Sequence, residues 1–363
     1  MLKDARQDAG SRHAEYLRTR RFCSLDGLRF FSVVPVIWHH SLSGPVAGLL
    51  GRGPLGVDLF FAISGFIITT LLLRERAATG TIAIGAFYAR RALRIFPLYF
   101  AVLGLSALRA GVWLPESSPV RVHFFHSLPF WATFTANWFV DFNAPHPIIF
   151  GFAWSLAAEE QYYLVWPWLV RAARSWRLPV AVAAALLVAD QAVEWGFFTG
   201  LLPPEGLARR LVANIASPIC MGALLAAALH HQRAFALGWR LLGQRASAPL
   251  ALALLGLLLA GSGVPQVAMQ AAMALLVSTC CIRTDHGLAW LLDLPPLRWI
   301  GSISYGMYMV HIAVITAVKA LLPAGLGPPW VFALAFAGTV VVAALSHRFF
   351  EGPFLRQGAR FRA

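Results

Sequence analysis

The chain is short of charge, of acids and of cysteine. Charged residues make up only 13% of its 363 positions and hydrophobic ones 58%, so it lacks the polar surface of a soluble globule. Sixteen acids face 30 Lys and Arg, and only Lys3 and Lys319 are lysine. A net charge of +14 would suit nucleic acid, but the arginines are scattered between apolar runs instead of forming a patch. That distribution fits membrane topology and excludes a nucleic-acid partner. The four cysteines, Cys23, Cys220, Cys280 and Cys281, have no metal spacing and read as reduced packing residues. No cleavable signal peptide is visible, because the first 21 residues are strongly charged and contain no apolar core. The apolar middle, 178–297, shows no repeat with a period of 20–50 residues.

What remains is a series of membrane-length apolar runs. Ten spans are expected, near 27–45, 54–73, 94–110, 152–170, 178–197, 207–229, 248–261, 264–282, 300–322 and 328–347. The fold class is therefore all-α, a polytopic membrane helical bundle. Residues 1–26 form an N-terminal segment, 27–347 the transmembrane domain and 348–363 a tail. The short apolar stretch 127–140 reads as re-entrant or interfacial. Placing both termini in the cytoplasm puts 23 of the 30 Lys and Arg inside and six outside, as the positive-inside rule requires.

Several polar groups interrupt the apolar runs. In LDGLRFFSVVPVIWHHS, Arg29 and His40 lie 11 positions apart. On a helix that returns them to within about 20° of one face and about 16 Å along the axis. A charged residue at the centre of a span costs roughly 2.5–3.5 kcal/mol, so such groups need a partner or a role. Asp58 is the only acid in the second span. If the first two spans form a hairpin, it sits about 24 Å from the cytoplasmic edge and His40 about 20 Å, so an imidazole–carboxylate pair is geometrically open. Ser64 and Gly65 would let another backbone come close.

Arg90, Arg91 and Arg94 crowd the cytoplasmic boundary, with Arg90 and Arg94 stacked on one helical face. They serve either topology or the binding of phosphates. In AWSLAAEEQYYLVWPW, Glu159 shares a face with Ser155 and with Tyr162 or Tyr163. One of Glu159 and Glu160 is expected to pair with an arginine such as Arg29, and the other to face the interface. Asp190 and Glu194 read as solvated. His123, His126 and His146 lie in an aromatic-rich outer segment that reads as an interface surface more readily than a metal site. Span nine carries a polar stripe of Ser304, Tyr305, Tyr308 and His311, which is either helix–helix glue or part of a site.

These blocks resemble, over nearly the whole chain, the acyltransferase-3 family of integral-membrane O-acyltransferases. The blocks are DGLRFFSVVPVIWHH, GVDLFFAISGF, RRALRIFPLY, WSLAAEEQYYLVWP, SISYGMYMVH and the closing Phe350–Glu351–Gly352–Pro353. Phe31 and Ser32 depart from the small aliphatics commoner after the arginine. The resemblance implies transfer of an acyl group, usually acetyl, from cytoplasmic acyl-CoA to a hydroxyl of a carbohydrate or lipid-linked acceptor. It implies an inner membrane of bacterial type. By position, the essential histidine falls on His40, the arginine on Arg29, the basic cluster on Arg90, Arg91 and Arg94, and the membrane acid on Glu159. Some relatives carry a further soluble domain; with 16 residues after the last span, none is expected here.

Acyl transfer needs a base poised near neutral pH, for which histidine is the usual choice, and positive charge for the thioester oxyanion. His40 would deprotonate the acceptor or carry the acyl group covalently, with Asp58 as a possible orienter. The arginine cluster would hold the CoA phosphates, and no metal is required. The rival reading is a glycan or small-molecule transporter, which predicts paired broken helices in two related halves. A scaffold without chemistry would leave Arg29, His40 and Glu159 unexplained.

Overall fold

A computed structural model describes residues 2–19, 21–42, 51–201, 203, 206–322 and 327–361. Arg20, Arg362, the side chains of Lys3 and Arg6, and the last three residues of the expected first span lie outside the described residues. The described residues are predominantly helical and contain no strand. The helices in order are α1 (Leu2–Arg18), α2 (Cys23–Ser41), α3 (Leu55–Thr79), α4 (Ile84–Trp113), α5 (Pro119–Ala132) and α6 (Ala136–Phe139). Then come α7 (Trp154–Ala172), α8 (Arg177–Glu194), α9 (Leu207–Ala213), α10 (Ser217–His230), α11 (Gln232–Leu242) and α12 (Ser247–Ala260). The chain ends with α13 (Gln266–Ile282), α14 (Ala289–Leu292), α15 (Pro295–Ser302), α16 (Ser304–Leu321), α17 (Pro328–Leu345), a π-helical turn (Ser346–Glu351) and α18 (Gly352–Ala359).

Among the described residues each of the ten expected spans falls on helix, the sixth divided between α9 and α10 and the ninth between α15 and α16. Among the described residues four helices are long and apolar enough to cross a membrane alone, α3, α4, α16 and the α17–α18 run, or up to six if each bent pair counts as one span. Those pairs are α9–α10, bent by 50°, and α11–α12, bent by 74°. The remaining helices are too short or too polar; α13, for instance, has 17 residues. α2 carries Asp26, Arg29, His39 and His40 in 19 residues. The stretch 127–140 falls on the end of α5 and on α6, two short helices that pack against each other instead of forming one span.

The centre of the bundle is α3, which packs against α2, α7, α10 and α13. Its crossing with α10 is set by two glycines. A Cβ on Gly65 would lie 2.1 Å from the Ile219 carbonyl oxygen, and one on Gly222 would lie 2.2 Å from that of Ala62. Small residues let membrane helices approach to backbone contact, where dispersion replaces the missing hydrophobic drive. Gly65→Ala is therefore expected to destabilise the fold by about 1–3 kcal/mol, as an overpacked core does. Gly104, with nothing within 4 Å of its Cβ position, should tolerate alanine. Melting of the two purified variants in detergent checks this; equal melting temperatures would mean the α3–α10 crossing adapts.

The N-terminus of α2 is seated by the same means. A Cβ on Gly27 would meet Leu292 O at 2.2 Å, and one on Gly301 would meet Asp26 O at 1.7 Å. The Asp26–Gly27 pair thus lies between α14 and α15.

Segments assigned to one side by charge meet each other. Arg74 donates to Thr19 O (2.5 Å) and Tyr16 O (2.6 Å), and Arg76 donates to Val170 O at 2.7 Å. Arg90 donates to Phe361 O at 2.6 Å and Arg283 to Gly243 O at 2.8 Å. At the expected outer end, Arg52 reaches Gly261 O at 2.6 Å and Lys319 reaches Leu42 O at 3.3 Å.

Candidate active site

α2, α3, α4, α7 and α16 enclose a cavity of about 90 Å3. Its polar lining is Arg29, Ser64, Arg91, Arg94, Ser155, Glu159, Tyr163, Ser304, Tyr305 and Tyr308. Polar residues from five helices converge because each sits on the buried stripe of an otherwise apolar helix.

Arg29 is held by Asp26, one turn earlier on α2, at 3.1 Å. Asp26 is almost buried and also receives Arg21 at 2.6 Å. The expected pairing of Arg29 with a glutamate is thus replaced by an i, i+3 pair within α2. Glu159 instead accepts a short hydrogen bond from the Tyr163 hydroxyl. Glu160 is not interfacial: its Oε1 is buried without a hydrogen-bond partner.

The arginine face differs from the expected one. Arg91 and Arg94, at i and i+3, line the cavity; Arg90 turns away to Phe361 O and to Glu75, at 3.9 Å. α4 begins at Ile84, nearly three turns before the expected span, which places Arg90 inside the helix and beside Glu75 of α3. The Arg91 guanidinium lies 4.7 Å from the centre of the Tyr163 ring, a cation–π contact. Arg94 is open to the cavity, within electrostatic reach of Arg29, Arg91 and Glu159.

Of the two tyrosines on α7, Tyr163 faces the cavity. Tyr162 instead shares a hydrogen bond with Thr69 (2.9 Å) and stacks on Trp166, which makes it a packing residue. On α16, Tyr305 donates to Ile95 O at 2.6 Å. Tyr308 donates to Phe152 O at 2.6 Å, so the 2.7 Å contact with Ser155 is donated by the serine. Gly306 leaves room for the nearly buried Glu351, whose Oε1 lies 3.2 Å from where a Cβ would stand. That carboxylate accepts from Ser346 Oγ at 2.9 Å and lies within electrostatic reach of Arg94.

His40 does not line the cavity. It lies behind it, against His311, with Nδ1 of His40 3.3 Å from Nε2 of His311. His311 is fully buried and packs on Tyr308 and Phe152. The polar order is therefore Arg91 and Arg94, then Ser155 and Tyr308, then His311, then His40.

Asp58 does not orient His40. Its Oδ2 accepts from Gln266 Nε2 (3.0 Å) and Gln270 Nε2 (3.1 Å) of α13, on another side of α3. Equal depth in the membrane was a necessary condition, and helix rotation sends the carboxylate elsewhere. Asp58→Asn is accordingly expected to keep acyl transfer within a few-fold, because the amide oxygen can still accept from both glutamines. Asp58→Leu leaves the buried Gln270 amide unpaired at about 1–3 kcal/mol, and should lower the melting temperature while sparing the rate per folded molecule. A large rate loss in Asp58→Asn would return this residue to the site.

Away from the cavity, Asp190 is buried and accepts from Ser217, so it is not solvated. Outside the spans, Arg283 and Arg245 hold the Asp285 carboxyl well below the usual carboxylate range. His123 and His146 pack edge to face at 5.0 Å, and among the described residues no cluster of three or more ligating side chains could hold a metal.

Sequence reasoning undervalued Asp26, Tyr163 and Tyr308. Asp26 is the acid one turn before Arg29 and Tyr163 lies at i+4 from Glu159, so helical spacing alone pointed to both.

The site is thus a small cavity in an all-helical bundle, lined by arginines, a carboxylate and tyrosines. The chain belongs to the acyltransferase-3 family: the family's sequence profile, described as an acyltransferase domain, matches residues 23–348. It is similar to the peptidoglycan O-acetyltransferase OatA of Listeria monocytogenes, 26% identical over 92% of this chain and 56% of that protein. It is also similar to a Bacillus subtilis protein named "Putative peptidoglycan O-acetyltransferase YrhL", 28% identical over 93% of this chain and 55% of the relative. The chain thus spans little more than half the length of these relatives. No solved structure matches it.

Proposed function

We propose that the protein is an acyl-CoA-dependent O-acetyltransferase that esterifies a hydroxyl of a carbohydrate acceptor, with peptidoglycan the favoured class. The observation that carries this reading is the polar line from Arg91 and Arg94, past Ser155 and Tyr308, to His311 and His40. The donor's phosphates would meet Arg91 and Arg94, which suit phosphate oxygens as guanidinium forks. The cavity, about 90 Å3, would take the tip of an acylated pantetheine, with the nucleotide held at the arginine end.

The acceptor hydroxyl attacks the thioester carbonyl carbon while His40 takes its proton. The carbon–sulfur bond then breaks, and the proton passes from His40 to the leaving thiolate, giving an ester and free CoA. Arg29, held by Asp26 at the end of α2 away from His40, would join Arg91 and Arg94 in holding the donor. Both termini would be cytoplasmic, as the contacts among the arginine-rich segments support, with the membrane being the inner one.

A transporter would place a broken helix in each of two related halves. The two bent pairs here, α9–α10 and α11–α12, are consecutive and lie outside the polar line. The test is incubation of the purified protein with radiolabelled acetyl-CoA and a soluble peptidoglycan fragment. The expected result is an alkali-labile acetyl ester formed one-for-one with free CoA. Binding of the glycan without any use of acetyl-CoA would overturn the proposal.

A further inference from the structure

We infer that His311 is the positioning residue for His40: it fixes the His40 ring as the Nδ1–H tautomer, so that Nε2 is the nitrogen that receives the acceptor's proton. The inference rests on the role proposed above for His40.

Two carbonyl oxygens assign the protons. Nδ1 of His311 lies 2.5 Å from Tyr308 O, and Nδ1 of His40 lies 2.9 Å from Val36 O. A carbonyl oxygen only accepts, so both Nδ1 atoms carry hydrogen. A neutral imidazole has one N–H, which leaves a lone pair on Nε2 of His311, and that atom faces Nδ1 of His40 at 3.3 Å. The His40 proton is therefore shared between Val36 O, from its own helix, and His311 Nε2, from α16. The first contact alone would let the ring swing about its side-chain bonds. The second, from another helix, holds it at a ring-to-ring angle of 62°. His311 cannot turn over to exchange its nitrogens, because it is fully buried against Phe152 at 5.3 Å and Tyr308 at 5.5 Å.

The consequence is a base with a defined working atom. The free Nε2 of His40 takes the acceptor's O–H proton as the new carbon–oxygen bond forms. The imidazolium keeps its Nδ1–H on Val36 O and on the His311 lone pair. The proton then leaves from Nε2 to the sulfur as the carbon–sulfur bond breaks. His311 gains and loses nothing. It does for His40 what a carboxylate does for the histidine of a hydrolase triad, without placing a second net charge in the bundle. Asp58, the acid that could have served, is occupied by two glutamines.

The experiment compares His311→Gln with His311→Leu in the full chain, using acetyl-CoA and a soluble peptidoglycan fragment as probes. Glutamine places an acceptor oxygen near the position of Nε2; leucine fills the space without one. His311→Leu should lose about 10²-fold in kcat, less than the ~10⁴-fold of a triad stripped of its only orienter, because Val36 O remains. His311→Gln should stay within about 10-fold of the parent, and KM for acetyl-CoA should not move in either. Equal losses in the two variants, or full activity in His311→Leu, would make His311 a packing residue. Nitrogen-15 NMR of histidine-labelled protein supplies a readout independent of activity: His40 should be the Nδ1–H tautomer in the parent and in His311→Gln. Finding Nε2–H in the parent overturns the inference. A parent that forms no acetyl ester overturns the acyl-transfer reading instead, and the NMR result still decides the tautomer.

Discussion

His40→Ala should abolish acetyl transfer while the protein still inserts, folds and binds acetyl-CoA. Removal of a general base costs about 10²–10⁴-fold in rate. Binding should persist because His40 lies behind Tyr308 and His311, away from Arg91 and Arg94. His39→Ala should retain most activity. That ring stands edge-on to His40 at 5.3 Å, with Nδ1 buried and unpaired, and its Cβ packs against Gly53. Initial rates of ester formation and equilibrium binding of acetyl-CoA, measured on the same detergent-purified preparations, check both halves of the expectation. An active His40→Ala enzyme would remove the base from this site, and an inactive His39→Ala enzyme with an active His40→Ala one would reverse the assignment.

The all-α architecture was legible because apolar runs of this length and composition form helices in a membrane, and each of the ten runs falls on helix among the described residues, four to six of the helices being long and apolar enough to cross. Single helical faces were legible too, since Ser155, Glu159 and Tyr163 fall together on α7 by spacing alone. Rotation of one helix against another was not. Asp58 and His40 lie at similar depth, yet α3 turns its carboxylate towards α13, where Gln266 and Gln270 wait. No single-helix periodicity carries that information; it is fixed by where Gly65 and Gly222 let α3 and α10 touch. The same limit explains Arg90. Its i, i+4 relation to Arg94 is a true helical neighbourhood, but the turn before α4 brings Glu75 beneath it, and the face that opens to the cavity is one residue further round. Arg29 was expected to find its acid in another helix because a buried charge needs one, and the nearer solution, Asp26 one turn below, was in the same motif.

The corrected arginine face sets the second large effect. Arg91→Ala with Arg94→Ala should weaken acetyl-CoA binding by roughly 10²–10⁴-fold, since each charge-assisted hydrogen bond to a phosphate is worth about 1.5–3 kcal/mol. Arg90→Ala should change it little, because that guanidinium is spent on Phe361 O and Glu75. The ionic-strength dependence discriminates further. Phosphate contacts near the membrane surface are screened by salt, so parent binding should weaken as salt rises and the double variant should respond less. Lysine at both positions should recover only part of the affinity, because an ammonium supplies the charge without the planar fork that engages two oxygens at once. Isothermal titration of nanodisc-embedded protein with acetyl-CoA and with dephospho-acetyl-CoA gives the numbers. If the double alanine variant folds and binds both donors as the parent does, Arg91 and Arg94 hold no phosphate. Their task would then be to balance Glu159 and Glu351 within the bundle, and the donor would have to enter elsewhere.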